Sequence, residues 1–140
     1  MLSRRFRAWP WPSGFAPGTH VAMAPEHRYI VAFLAASLNA GKTFTHVYDH
    51  DAKREIAVGG RVRPDRVEVV EGLTGARIEG EPKALFHSGS GSHIQLEVDG
   101  QGFSGYDYGS KAHFRGTFQD QGAVQLFDHQ SGRYHAFHIS

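Results

Sequence analysis

One column of side chains in this 140-residue chain has the composition of a site for acid–base or metal chemistry. Five stretches of the sequence follow a common pattern, and one position of it holds Asp49, Glu71, His87, Asp107 and Asp128. Equivalent positions on symmetric repeats converge on a common axis, where carboxylates could hold a cation or act as an acid–base pair if burial keeps one of them protonated. The alternative interpretation is that each carboxylate accepts hydrogen bonds from backbone amides of the turn that follows it, which requires no ligand.

Histidine is the second residue type that could carry chemistry. Eight of the ten histidines follow Thr43, and none of them forms an HxH or HExxH motif. His50 and His129 occupy one column of the repeat and His93 and His113 another, so pseudo-symmetry could gather them. The alternative metal-site hypothesis uses Asp49, His87, His93 and His113. The chain has no nucleophile-elbow motif, so the sequence does not predict Ser-His-Asp catalysis.

Aromatic side chains flank the turns of the same stretches, at Tyr48, Phe86, Tyr106, Tyr108, Phe127 and Tyr134. Cross-strand aromatic pairs commonly stabilise hairpins. Exposed rings at hairpin tips could instead form a pocket or an adhesive surface for a lipid, a glycan or a partner chain. The ligand-binding hypothesis therefore uses Tyr48, Phe86, Tyr106, Tyr108, Phe127, Asp107 and Asp128.

The elements that position these side chains are copies of a twelve-residue strand–turn–strand repeat. The copies begin at Val47, Val69, Leu85, Gly105 and Leu126. Their turns are rich in glycine and serine, which suits tight hairpins, and apolar residues alternate along the returning strands. Closing consecutive hairpins on themselves removes exposed sheet edges. The repeat therefore predicts an all-β fold over residues 43–140, in which pseudo-symmetric antiparallel hairpins close into a barrel.

One N-terminal helix over residues 25–40 is predicted to pack on or in this barrel. Pro25 suits the first helical position, Glu26 places a carboxylate in the first turn, and Gly41 supplies the left-handed residue that ends helices. Apolar residues recur at helical spacing at Ile30, Phe33, Leu34 and Leu38. This spacing predicts an amphipathic helix with a single apolar stripe.

Composition excludes several classes of protein. The chain has no cysteine, which rules out disulfides, thiol catalysis and zinc–thiolate sites. The net charge is +1, and three arginines without an acid lie in residues 1–22, so the rest of the chain lacks the basic balance of a nucleic-acid binder. No apolar run reaches the roughly 18 residues of a transmembrane segment.

Residues 1–24, rich in arginine, proline and tryptophan, are predicted to be a disordered leader; the alternative is that residues 1–22 precede a natural start at Met23. Residues 36–43, ASLNAGKT, resemble a relaxed phosphate-binding loop. A phosphate-binding loop lies between a strand and a following helix, whereas here a helix precedes the motif and a strand follows it. No cofactor is predicted.

The segment from about Phe44 to Ile139 resembles the bacterial four-fold β-flower family. The resemblance is carried by residues 106–110 (YDYGS), 113–114 (HF), 126–128 (LFD) and 132–134 (GRY). It implies hairpins that spread as petals from a shallow barrel, and it implies no activity. The family has four petals, whereas this sequence contains five copies.

The leading functional hypothesis is a non-enzymatic binding or interaction module for a small molecule, an amphiphile or lipid, or a protein partner. The alternative is an enzyme or metal-binding protein with an axial cluster of aspartate and histidine. We expect a monomer or homo-oligomer in the cytoplasm, with peripheral membrane association as the alternative location.

Overall fold

A closed barrel of ten antiparallel strands forms the body of the protein, in a computed structural model that describes residues 22–140. The strands are β1 (His46–Asp49), β2 (Arg54–Val62), β3 (Val67–Glu71), β4 (Arg77–Glu81), β5 (Ala84–His87), β6 (Ser92–Val98), β7 (Gly102–Asp107), β8 (Ala112–Phe118), β9 (Ala123–Asp128) and β10 (Arg133–Ile139). Each strand pairs with its sequence neighbours, and β1 closes the barrel against β10. The predicted all-β fold with one helix is confirmed.

Five hairpins make up the barrel, one for each copy of the repeat. They are β1–β2, β3–β4, β5–β6, β7–β8 and β9–β10. Their tight turns lie at one end of the barrel, and the links between hairpins lie at the other end, where residues 120–122 form a short 3-10 helix. The barrel therefore has five petals, one more than the family that the sequence resembles.

The helix α1 spans Pro25–Ala40, the range that the sequence indicated, and ends at Gly41, which has a φ of 69° and donates its N–H to the Ser37 carbonyl at 3.0 Å. The prediction of a single apolar stripe is wrong, because every residue from 29 to 37 is buried. No charged residue lies in residues 29–41. A helix that is apolar on all sides can be buried on all sides.

The helix fills the interior of the barrel and forms one core with the strands. Inward-facing residues such as Val69, Leu85 and Leu126 are at most 2% exposed and belong to the same cluster as Phe33 and Leu34. Outward-facing residues alternate with them along each strand, as the period of a β-strand requires. The axis of the barrel is therefore occupied by the chain itself.

The N-terminal segment is described only from residue 22, so most of the predicted leader lies outside the described residues. Met23, which the prediction included in that leader, is buried at 1% exposure and belongs to the core. Met23 therefore does not belong to a disordered leader, and the prediction for residues 1–21 lies outside the described residues. Within residues 22–140, no helix is long and apolar enough to cross a membrane.

Candidate functional site

The acidic column lies inside the barrel, at the end that carries the hairpin turns. Each member is the last residue of the first strand of its hairpin, and each is at most 2% exposed: Asp49, Glu71, His87, Asp107 and Asp128. The predicted convergence of these side chains toward the axis therefore occurs. The start of α1 and the residue Met23 before it reach this cluster: Asp107 and Glu71 bind His27 and Tyr29 of the helix, and Asp128 binds the backbone of Met23.

One carboxylate oxygen of each acidic member closes the turn that follows it. It accepts the backbone N–H two residues later, at nitrogen–oxygen distances of 3.0 Å for Asp49, 2.7 Å for Glu71, 3.0 Å for Asp107 and 2.9 Å for Asp128. This is the turn-stabilising geometry that short acidic side chains favour before a hairpin turn. The structural alternative proposed for the column is therefore present in all four acidic hairpins.

Glu71 and Tyr29 form a buried contact between the column and the helix. The Tyr29 hydroxyl donates to Glu71, which also accepts from the Thr74 backbone N–H at 2.7 Å and from the Thr74 hydroxyl at 2.8 Å. Burial raises the pKa of Tyr29, and its hydrogen bond to Glu71 raises it further. Burial would raise the pKa of Glu71, but these hydrogen bonds outweigh it and hold the pKa below its ordinary value. Glu71 is therefore an ionised carboxylate that anchors the helix.

Asp128 and Asp107 bind the first residues of the helical segment. Asp128 accepts the backbone N–H of Met23 at 3.0 Å through the oxygen that does not serve its own turn. Asp107 lies 3.0 Å from Nδ1 of His27, and its other oxygen accepts the Ser110 hydroxyl at 2.9 Å. Burial would raise the pKa of Asp107, but the hydrogen bond and charge of His27 lower it below its ordinary value. Asp107 is therefore ionised as well.

His87 replaces a carboxylate in the column and remains neutral. Its Nδ1 accepts the Ser90 backbone N–H at 3.1 Å, which places the ring proton on Nε2. Burial lowers the pKa of His87, and the neighbouring charge of His27 lowers it further. The two imidazole rings meet edge-on with centroids 4.5 Å apart. Nε2 of His87 is buried without a hydrogen-bond partner among the described residues.

The four residues of the metal-site hypothesis lie on opposite faces of the sheet. Asp49 and His87 point into the barrel, whereas His93 and His113 are exposed on its outside. They cannot share one ion, so this alternative is corrected. Within residues 22–140, no group of three or more histidine and acidic side chains is placed to hold a metal.

The outer histidines pack instead against aromatic side chains that form an aromatic column of the repeat: Tyr48, Phe86, Tyr106 and Phe127. His50 meets Tyr48 at a centroid distance of 4.9 Å, and His113 meets Tyr106 at 4.9 Å. The same edge-on contact joins Phe86 to His93 at 5.2 Å and Phe127 to His129 at 4.9 Å. Ring packing on the outer surface therefore explains why His50 and His129, and likewise His93 and His113, occupy equivalent positions of the repeat.

The ligand-binding set predicted from the sequence is split between the two faces. Its five aromatic residues point outward, and Phe86 and Tyr108 are 40% and 52% exposed. Asp107 and Asp128 point inward and are bound to the helix and its N-terminal flank. The aromatic and acidic columns are adjacent in sequence, and consecutive strand residues face opposite sides of a sheet, so the two groups cannot contact one ligand.

Several surface depressions adjoin the barrel wall. One of about 450 Å³ lies over β6, β7 and β8 and is lined by Gln95, Glu97, Ser104, Tyr106, His113 and Arg115. Another, of about 1060 Å³, lies at the opposite end from the acidic column, beside Leu38 and the links that contain Pro64 and Pro82. It is lined by none of the residues that the sequence predicted for a ligand or metal site.

Comparisons with protein-family models, with curated proteins and with solved structures found no match. Membership of the β-flower family therefore stays a prediction, carried by the sequence motifs quoted above.

Sequence reasoning missed the helical partners of the acidic column. His27 and Tyr29 lie in the first turns of α1 and bind Asp107 and Glu71. Ser90, in the turn after β5, contacts both His27 and His87. The available signal was the run of polar side chains from Glu26 to Tyr29 at the start of an otherwise apolar helix.

We expect the protein to lose stability as the pH falls below about 6.5, the ordinary pKa of histidine. The pKa of His87 is lower in the folded protein than in the unfolded chain, so the unfolded chain binds the proton first. The lowered pKa values of Glu71 and Asp107 add a second loss near and below their ordinary values of about 4.

Urea unfolding between pH 7.5 and pH 4.5 measures this dependence. His87→Gln should flatten the loss between pH 6.5 and pH 5, by at most about 1.4 kcal/mol per pH unit, the limit for one proton. His93→Gln is the matched control on the outer face, and it should keep the wild-type slope. Equal slopes for wild type and His87→Gln would contradict the prediction.

Proposed function

We propose that the protein is a binding module that takes a saccharide, a polar molecule with an apolar ring face, on the outer surface of β6–β10. The observation that carries this proposal is the placement of aromatic rings among polar donors and acceptors on that surface, while α1 fills the axis. Recognition of a polar ligand requires convergent hydrogen-bonding groups around an apolar contact surface.

The first part of the proposed surface is the depression over Tyr106. Its ring packs edge-on against His113 and against Tyr108, at centroid distances of 4.9 Å and 4.7 Å, which fixes its orientation. Ser104, Gln95 and Arg115 border the same depression, whose volume of about 450 Å³ lies in the size range of small-molecule sites, roughly 300–1,000 Å³. These side chains supply both hydrogen-bond donors and acceptors.

A second aromatic group adjoins the first across Arg115. Phe127 packs against Tyr134 with ring centroids 4.7 Å apart, and the Arg115 guanidinium lies 5.1 Å from the Phe127 centroid. A depression of about 320 Å³ is lined by these residues with Thr117 and Gln125. Arg115 borders both depressions, so an extended ligand with two rings could contact both aromatic groups and one shared donor.

The metal-site alternative from the sequence carries less support. The outer histidines contact aromatic rings and the inner carboxylates bind the turns and the helix, which leaves no gathered metal ligands in the part of the chain that the structure describes.

We also propose that the chain is a five-petalled relative of the β-flower family, which is supported by its five hairpins and by the sequence motifs. Lipid and protein ligands become outcomes of the test below.

Titration of ¹⁵N-labelled protein with a panel of mono- and disaccharides tests the proposal. We expect amide shifts confined to the outer face of β6–β10, and at least tenfold weaker binding after Tyr106→Ala, equal to about 1.4 kcal/mol. Tyr48→Ala is the matched control, because Tyr48 occupies the same repeat column with the same histidine contact on a different hairpin. Its affinity should match the wild type.

The outcomes that oppose the proposal are equally specific. Shifts on this face with lipid vesicles or peptides, and none with saccharides, would assign the surface to another ligand class. Equal weakening by Tyr48→Ala and Tyr106→Ala, or shifts centred on the depression beside Leu38, would overturn the assignment of the binding face.

A further inference from the structure

Ser90, His27 and Asp107 are joined by a continuous chain of hydrogen bonds. Nε2 of His27 lies 2.8 Å from the Ser90 hydroxyl oxygen, and Nδ1 of the same ring lies 3.0 Å from Asp107 Oδ1. The three residues come from the β5–β6 turn, the first turn of α1 and the end of β7. The order of contacts, hydroxyl to Nε2 and Nδ1 to carboxylate, is that of a nucleophile, its base and the group that orients the base.

The surrounding hydrogen bonds determine where the protons lie. Asp107 is a carboxylate that can only accept, so His27 donates to it from Nδ1; in the neutral form of the ring this bond places the proton on Nδ1, and Nε2 is then the nitrogen that can accept. The Ser90 hydroxyl also lies 3.1 Å from His87 Nδ1, but that nitrogen already accepts the Ser90 backbone N–H. The shorter contact to His27 is therefore the one that can take the hydroxyl proton.

The base is held rigidly beneath a turn that is exposed to solvent. His27 and Asp107 are 2% and 1% exposed, and Asp107 is fixed by the Ser110 hydroxyl and the Gly109 backbone N–H. Ser90 lies in an exposed stretch of the turn. A preorganised buried base in contact with the hydroxyl of an exposed turn residue is an arrangement that nucleophilic catalysis uses.

We propose that Ser90, His27 and Asp107 form a catalytic triad that hydrolyses small carboxylic esters. This activity goes beyond the saccharide-binding function proposed above and does not depend on it. The triad lies at the rim of the barrel, whereas the proposed binding face lies on the outer wall. Sequence reasoning did not find it, because the three residues belong to separate elements and the serine lies outside any nucleophile-elbow motif.

The reaction proceeds in two balanced steps. The Ser90 oxygen bonds to the ester carbonyl carbon while its proton passes to His27 Nε2; the ester C–O bond then breaks, and His27 returns the proton to the departing alkoxide. Water then attacks the acyl-serine, giving one proton to His27, and that proton returns to the Ser90 oxygen as the carboxylic acid leaves. Asp107 is a positioning residue that keeps His27 in the tautomer and orientation required.

A depression next to the turn, which the triad residues themselves do not line, is the space available for a small acyl group. A depression of about 470 Å³ begins at Gly91 and Ser92, directly after Ser90 in sequence, and is also lined by His93 and Tyr108. It is shallow and open to solvent on the outer side of the turn. The substrate class is accordingly a short-chain ester rather than a long acyl chain, which would need a buried apolar channel.

Hydrolysis of p-nitrophenyl acetate and labelling with an alkyl fluorophosphonate test the proposal. We expect mass spectrometry to find the phosphonate on Ser90, and Ser90→Ala to reduce hydrolysis by at least about 100-fold, the lower range of base-assisted catalysis. Ser88→Ala is the matched control in the same turn, where the Ser88 hydroxyl only accepts the Arg77 backbone N–H. It should retain wild-type labelling and hydrolysis.

Two single-cysteine variants test the contact between residue 90 and His27 without any measurement of ester hydrolysis. The chain has no cysteine, so Ser90→Cys and Ser88→Cys each introduce a single thiol. A thiol next to His27 should be activated, and we expect at least tenfold faster alkylation by iodoacetamide for Ser90→Cys than for Ser88→Cys. Equal alkylation rates, or hydrolysis unchanged in a folded Ser90→Ala protein, would overturn the proposal.

Discussion

Replacing Phe33 by alanine should lower the free energy of unfolding by about 3–5 kcal/mol, the usual cost of removing a buried aromatic ring from a core. Phe33 is fully buried near the middle of α1, inside the barrel. The rigid wall of paired strands limits how far the surroundings can collapse into the cavity, which favours the upper part of that range.

Denaturant unfolding followed by circular dichroism measures this cost. Phe86→Ala is the matched control, because Phe86 is 40% exposed on the outer face of β5. We expect that control to change stability by less than about 1 kcal/mol, as exposed substitutions commonly do. A cost below about 1 kcal/mol for Phe33→Ala would show that the helix does not pack inside the barrel in solution.

Gly105→Ala should cost about 3 kcal/mol, at the upper end of the range for overpacking a core. A Cβ atom at Gly105 would lie 1.9 Å from the carbonyl oxygen of Gln95 on β6 and 2.5 Å from the ring of Phe114. The oxygen belongs to the backbone of a paired strand, so the barrel wall itself must shift to admit the methyl group.

The matched control is Gly59→Ala on β2, where a Cβ atom would meet nothing within 4 Å. Neither glycine has a positive φ, so the two substitutions differ in available space and not in backbone preference. Gly59→Ala should be neutral or stabilise the fold by up to about 1 kcal/mol through the unfolded state. Thermal unfolding compares the two variants, and equal losses would contradict the steric argument.

The hairpins could be predicted because the signals that specify them are local. Glycine in the turns and alternation along IQLEV (94–98) depend only on neighbours in sequence, and the ends of the helix at Pro25 and Gly41 are equally local. Consecutive hairpins leave exposed sheet edges unless they close on themselves, so the five copies also predicted a closed barrel. The barrel and the helix boundaries therefore follow from short-range physical chemistry.

The environment of the helix could not be predicted in the same way. An apolar stripe was assigned from Ile30, Phe33, Leu34 and Leu38, although Val31, Ala32, Ala35 and Ala36 face other directions and are also buried. Alanine side chains do not mark a hydrophobic face when a helix is searched for one apolar stripe. Because they are small, they nevertheless allow a helix to fit between closely spaced strands. The absence of charge over residues 29–41 was the signal of complete burial.

The candidate sites were predicted in part. Local patterning placed the carboxylates of the column at strand ends before tight turns, where the structure finds them. It could not reveal that His27 docks against Asp107, eighty residues away, because that contact depends on the rotation of α1 inside the barrel. Ser90 was overlooked for the same reason: a turn serine gains a chemical role only from a partner that the turn does not contain.

The pairing of β1 with β10 bears on the order in which the molecule can assemble. Val47 lies opposite Ile139, so the ring of strands cannot close until nearly the whole sequence has been synthesised. Until that moment α1, which precedes every strand in the chain, has no enclosure for its apolar sides, and contacts of such high sequence separation form slowly. Closing the barrel and enclosing the helix are then a single cooperative event, and the newly made chain depends on β10 to shield α1 from water and from other chains.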